Sequence, residues 1–465
     1  MEVNMIELLN VVVVFFLLGV VFFSKKKNLI ALVLVYGSTC FLYAVIPLIS
    51  GASNIYLAKL HVRGGGILVK LATVMFLLVI FVSLAIRVRK NIVSDRPTLI
   101  YFGVAIAAVI IGYIHNVRVG DWLQLQNILS VVAMLVLMYL GHLWFSVEGY
   151  HWSITKNSIG CANAFLAMAV CVGFYEICSK RAWAYTVENS GEVVWRASSI
   201  LFNPNLFAYW CSMVYLGCVY GMYCFSEHRR AMMLGMVLSS LGIYSTASRG
   251  VVLLLISVLL ISSLLLKSSK KLRWLPLMLL PFVFFVAFSA ARFLQSQDHT
   301  NESSWHSFVV IGERLARAPL SIANYIYNFT KYNITDSATS SITSATSSIT
   351  SANLSISHPS KINESIEGRF RGKRKDAGFL ALYDDAGILG LAAVVFLWGV
   401  LATRGFRRYM AVRDISSVYA LAFLMLCFFV GFAMRFQVFP LWLFIGGAIS
   451  VCMSYWRDDF TEINV

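Results

Sequence analysis

Apolar residues in this chain come in long blocks rather than in alternation. The blocks run roughly over 5–23, 28–50, 67–86, 99–114, 127–147, 160–178, 206–225, 231–247, 251–266, 275–291, 386–403, 418–434 and 438–456. Each is about 16–23 residues, enough to cross a hydrocarbon layer of ~30 Å as a helix. Ten-residue stretches of alternating polarity are missing, which argues against a lipid-facing β-barrel. The pattern predicts an all-α fold: a polytopic transmembrane helical bundle of about 12–14 helices. It also predicts three parts: helices with short loops over 1–291, one large loop over 292–385, and C-terminal helices over 386–465.

Basic residues sit in some of the gaps and not in others. Clusters fall at "SKKK" (24–27), "RVRK" with Arg96, "EHRR" (227–230), "KSSKKLR" (267–273) and "TRGFRRYMAVR" (403–413). Placing them all on the cytoplasmic side lets the helices alternate consistently from end to end. The segments 51–66, 115–126, 179–205, 248–250 and 292–385 then fall on the outer side. The first block follows "MEVNMIELLN", which is acidic and lacks a basic cluster. It therefore reads as a retained helix and not a cleaved signal peptide.

Composition strengthens this picture. Hydrophobic residues make up 59% of the 465 residues and charged ones 13%, with a mean hydropathy of +0.76. A soluble domain is roughly a quarter charged. The net charge of +16 is mostly a topology feature, since the basic residues cluster in alternate loops; no nucleic-acid partner is expected. The nine cysteines fall in or beside apolar blocks, without metal-ligand spacing, and read as small buried hydrophobes. The outer loop repeats "SATSSIT" and decays to "SANLSIS" over 337–357. So Ser/Thr-rich a segment offers too little apolar surface to offset ordering entropy and reads as a flexible insert. Sequons at Asn301, Asn328, Asn333, Asn353 and Asn363 would matter only in a eukaryotic lumen.

Four outer segments carry candidate chemistry. Arg196 precedes "FNPN" (202–205), where Pro204 favours a turn and Asn205 is a candidate helix cap. "STASRG" (245–250) is a tight reversal between two apolar blocks, with Arg249 at its tip. "GRFRGKRKDAGFLALYDDAGILGL" (368–391) packs five basic residues into 369–375 ahead of Asp376. "SSWHSFVVIGERLARAPL" (303–320) has the look of an interfacial helix. Each has a plainer reading. An arginine at a helix end can snorkel to headgroups, a basic run can meet anionic lipid, and Asp384 with Asp385 can be solvated or hold a divalent ion.

Taken in order, these segments resemble the O-antigen ligase and polymerase family of bacterial membrane glycosyltransferases. The resemblance covers roughly 190–400. It rests on Arg196 before "FNPNLFA", on Ser248-Arg249-Gly250 at a hairpin tip, and on a large loop before the last helices. It also rests on a return segment with Asp376, Leu380 and "GILGL" (387–391). It implies a multi-pass protein of the bacterial inner membrane, with 292–385 periplasmic. The implied reaction polymerises undecaprenyl-pyrophosphate-linked oligosaccharides, without cofactor or metal. Implied catalytic residues are Arg196, Arg249 and Asp376; implied substrate-binding residues are Asn203, Asn205, Arg371, Lys373 and Arg374. Implied partners are the lipid-linked glycan, anionic lipid and a chain-length regulator.

Ligases of this family read "HNxxL" at the return segment, where this chain has "DAGFL" (376–380), and that favours polymerase over ligase. A ligase acting on lipid A-core stays the nearest alternative. A flippase of lipid-linked sugars is another, although it would favour internal repeats and helices broken near mid-membrane. A non-catalytic scaffold leaves Arg196 and Arg249 on one side by coincidence.

Overall fold

The computed structural model describes residues 96–117, 122–148, 156–179, 184–187, 193–201, 203–224, 226–265, 378–433, 442 and 445–453. The predicted helices at 5–23, 28–50, 67–86 and 275–291 lie outside the described residues, as does the loop as far as residue 377. Eight named helices are described. They are α1 (Arg96–Asn116), α2 (Trp122–Glu148), α3 (Lys156–Cys178), α4 (Pro204–Cys224), α5 (Arg229–Ser245), α6 (Arg249–Leu265), α7 (Gly378–Val412) and α8 (Ile415–Ala433). A further helical stretch covers 445–453. The described residues are all-α apart from one hairpin. Among the described residues three helices, α1, α4 and α7, are long and apolar enough to cross a membrane, while α2, α3, α6 and α8 carry shorter apolar cores. This is a membrane protein.

Helix α1 shows why these segments are helices with two apolar faces. Its buried residues, Thr98, Phe102, Ala105, Val109 and Gly112, recur every three or four positions. That stripe packs on α7 in the most extensive helix pairing described. The opposite face keeps Ile100, Val104, Ile111 and Ile114 exposed, as suits a helix apolar all round in lipid. In lipid, association rests on close packing of small residues more than on hydrophobic burial. Gly112 illustrates this, since a Cβ there would stand 2.1 Å from the Ala386 carbonyl oxygen. Helix α4 is the most enclosed of the three, with Phe207, Ala208, Cys211 and Tyr215 fully buried. It packs on α5, α8 and α6.

Two expectations are corrected. The 179–205 segment, expected as a loop, contains strands β1 (Ala184–Val187) and β2 (Val193–Arg196). They pair antiparallel in the register Ala184↔Arg196 through Val187↔Val193. β-Branched and aromatic residues in "AYTV" and "VVWR" favour this pairing. The return segment is helical over Gly378–Val412. Non-helical backbone at Gly387 separates a leading helical stretch over 378–386 from the helix expected at 386–403, which runs on to Val412. Its acidic pair is accommodated inside the helix because Asn127 Nδ2 donates to Asp385 Oδ2 at 2.8 Å. Gly387, with φ 64° and ψ −169°, is the kink at which the two helical parts of α7 meet.

Helix ends gather at two levels. At one, the ends of α3 and α5 meet the starts of α4 and α6, because Ala197 N–H donates to the Ser245 carbonyl at 2.9 Å. At the other, Tyr220 on α4 bonds Ser416 at the start of α8 at 2.9 Å. Tyr409 near the end of α7 donates there to the Leu265 carbonyl at the end of α6. The start of α7 therefore points toward the first level.

Candidate functional site: an arginine at two helix starts

Strand β2 ends on Arg196 and delivers it to the first level of helix ends. Ala197 and Ser198 follow, both fully buried. Ser199 then adopts φ 49° and opens a short 3-10 turn, Ser199–Leu201. Asn203 stops that turn and starts α4. Its Oδ1 accepts from the Asn205 amide at 2.9 Å and from the Leu206 amide at 3.3 Å, the work of a helix N-cap. Pro204 occupies the first helical position, where its missing N–H costs nothing. The cap is thus Asn203, where the sequence pointed to Asn205.

That correction frees Asn205 for another role. Arg196 Nη2 donates to Asn205 Oδ1 at 2.8 Å and to Ser248 Oγ at 2.9 Å, and its Nε donates to the Thr246 carbonyl at 2.9 Å. Ser248 Oγ in turn donates to Asn205 Oδ1 at 3.1 Å. The guanidinium is therefore held by the start of α4 and by the turn between α5 and α6. It is only partly buried.

The second turn is built for closeness. Thr246 closes α5 by donating from Oγ1 to the Ile243 carbonyl at 2.6 Å. Ala247 takes φ 52°, a left-handed conformation uncommon for residues other than glycine. Ser248 then precedes α6, its carbonyl accepting from Val252 N–H at 3.3 Å. Arg249 opens α6 directly after the serine that touches Arg196. Of the three non-glycine residues with positive φ among those described, Ser199 and Ala247 flank this cluster. Strain of this kind, about 1–3 kcal/mol per residue, tends to collect at binding sites.

The electrostatics have one sign. A helix start carries roughly half a positive charge and prefers an anion by about 0.3–1 kcal/mol. Here two starts, of α4 and α6, converge on a guanidinium that is itself cationic. The first amides of α4 are taken up by Asn203, so what its end offers an anion is the dipole, and the guanidinium is the group that forks onto a phosphate.

The structure thus brings together Arg196, Asn205, the cap Asn203 and the chain position of Arg249. Arg371, Lys373, Arg374 and Asp376 lie outside the described residues. Asp384 and Asp385 separate: neighbours on a helix point about 100° apart, leaving Asp384 exposed and Asp385 buried. No group of three or more His, Cys, Asp or Glu side chains gathers among the described residues. Sequence reasoning passed over Glu176, Thr246 and the amides Asn116, Gln124 and Asn127. Glu176 could have been found, because a carboxyl inside an apolar membrane block is costly and commonly functional. No protein-family model, curated protein or solved structure matches the chain.

Proposed function

We propose that this protein is a polysaccharide polymerase, a metal-independent membrane glycosyltransferase. It joins undecaprenyl-pyrophosphate-linked oligosaccharide repeat units into O-antigen or a related surface polysaccharide. On this reading the chain is a multi-pass bundle of about 12–14 helices in the bacterial inner membrane. Its arginine site faces the periplasm beside a large periplasmic loop. Anionic lipid and a chain-length regulator are its proposed partners besides the glycan.

The single observation that supports the reading is Arg196 seated against the starts of two helices and bonded to Ser248, the residue before Arg249. In the reaction, an acceptor sugar hydroxyl attacks the anomeric carbon of the donor. A glycosidic C–O bond forms as the bond from that carbon to the pyrophosphate oxygen breaks. The electron pair leaves with undecaprenyl pyrophosphate, and the hydroxyl proton passes to a base. Negative charge grows on the leaving pyrophosphate, and preorganised cations and dipoles aimed there lower the barrier. Arg196 and Arg249 take this role, each charge-assisted bond contributing about 1.5–3 kcal/mol. Asn205 orients Arg196, and Asn203 keeps the start of α4 in place. Asp376 is assigned to the acceptor hydroxyl, and Arg371, Lys373 and Arg374 to a second anionic headgroup.

The test is the surface glycan of a deletion strain carrying the wild-type gene, Arg249→Ala or Arg196→Lys. A polymerase predicts core capped by one repeat unit in the deletion strain and in both variants, with normal membrane levels of the variant proteins. Full-length glycan in Arg249→Ala ends the assignment of that arginine. Bare core with accumulated lipid-linked polymer in the deletion strain marks a ligase instead. Lipid-linked units stranded on the cytoplasmic face mark a flippase.

A further inference from the structure

Three residues beyond Arg196 the chain turns left-handed, and a carboxyl from another helix holds the turn. Glu176 sits near the end of α3 and is fully buried. Its Oε2 accepts from the Ser198 amide at 2.7 Å and from the Ser199 amide at 3.0 Å. Ser199 is the residue with φ 49°, and its Oγ donates to the Ala169 carbonyl at 2.6 Å. Between these contacts lies Gly173, where a Cβ would stand 3.0 Å from Ala197 Cβ and 3.5 Å from Ser245 Oγ. Ala169, Gly173 and Glu176 are four and three residues apart, so they share one face of α3. That face forms a seat for residues 197–199.

The seat has an energetic logic. A buried backbone N–H left without an acceptor costs about 1–3 kcal/mol. A left-handed Ser199 adds strain of its own. One carboxyl oxygen relieves two adjacent amides at the strained point. Without it, the turn would relax toward ordinary φ and swing the end of β2.

We infer that Glu176 is a positioning residue for Arg196: by gripping the Ser198 and Ser199 amides it fixes the turn that aims the guanidinium at Asn205, Thr246 and Ser248. The effect of Glu176 on the turn rests on geometry alone, whereas its effect on ligand binding rests on the anion-site reading above.

The experiment uses the full chain in lipid nanodiscs, with hydrogen–deuterium exchange over 197–207 and binding of inorganic pyrophosphate as separate readouts. Glu176→Ala should speed exchange at 197–201 by about tenfold or more while leaving 378–412 unchanged. It should also weaken pyrophosphate binding by about tenfold or more. Glu176→Gln keeps an acceptor oxygen and should restore both readouts to within about threefold of wild type. Glu176→Asp withdraws the acceptor by one methylene and should behave like the alanine variant; it takes that variant's place if Glu176→Ala fails to fold.

Unchanged exchange at 197–201 in the alanine and aspartate variants overturns the inference, whatever happens to pyrophosphate. Faster exchange with undiminished pyrophosphate affinity overturns the aiming role. Should wild type bind no pyrophosphate, the anion-site reading falls, and the exchange data still decide whether Glu176 holds the turn.

Discussion

Asn205 Oδ1 takes hydrogen bonds from Arg196 Nη2 and Ser248 Oγ, so a single carbonyl oxygen joins the end of β2 to the turn before α6. Its neutrality matters for the proposed chemistry. An aspartate in its place would keep the geometry and add a charge 2.8 Å from the guanidinium. Asn205→Asp is therefore expected to hold or raise thermal stability while lowering glycan polymerisation by about tenfold or more, because a built-in anion competes with the substrate's. The check is a melting temperature beside a glycan ladder from the same strain. Wild-type polymerisation by Asn205→Asp would argue that no anion binds there. Arg196 and the Asn-Pro-Asn were legible in the sequence because arginine and capping residues carry local meaning. The division of labour between Asn203 and Asn205 was not, since both are asparagines and either can cap a helix. Glu176 is legible as a lone carboxyl in an apolar block but drops out of a hydropathy average, since neighbours such as Phe174, Tyr175 and Ile177 keep the window apolar.

Helix α7 shows what an element hides when read alone. Charges at Asp384 and Asp385 mark a membrane boundary by hydropathy, so the sequence reading starts the helix at 386. That helix does begin at the Gly387 break; what hydropathy misses is the helical stretch from Gly378 ahead of it, which depends on partners from other helices. Gln124 Nε2 donates to the Asn116 carbonyl at 2.9 Å and to the Asp385 carbonyl at 3.0 Å, and Asn127 holds the Asp385 carboxyl. Asn116 Nδ2 donates to the Gly112 carbonyl at 3.1 Å. The same nitrogen lies 2.5 Å from where a Cβ on Gly387 would be. Gly387→Ala thus meets two penalties, a backbone region nearly exclusive to glycine, about 1–3 kcal/mol, and a clash with Asn116. It should lower the thermal midpoint by several degrees in detergent. Gly399→Ala in the same helix has nothing within 4 Å and should be neutral or stabilising by up to ~1 kcal/mol. Equal midpoints for the two variants would refute the kink as a fixed feature.

At the scale of the molecule, the question is which compartment the arginine site faces. The level away from the site bears the exposed cations Arg229, Arg230, Arg407 and Arg413. Arg404 lies at that level too, donating to Tyr101 at 3.0 Å near the start of α1, while the far end of α1 reaches the α7 kink through Asn116. The bias of basic residues toward the cytoplasm predicts that the site level is external. The helix count over 1–95 and 266–377 rests on hydropathy, yet sidedness can be tested without it. In a chain whose cysteines are replaced, single cysteines would be introduced as Gly250→Cys and Arg230→Cys, both at exposed positions. A membrane-impermeant maleimide should modify Gly250→Cys in intact cells with a permeabilised outer membrane, and Arg230→Cys only after the inner membrane is opened. The reversed pattern would put Arg196 on the cytoplasmic side, where no outward-facing lipid-linked repeat could reach it. Polymerisation at the periplasmic face would then be impossible, although the hydrogen bonds that hold Arg196 would be unchanged.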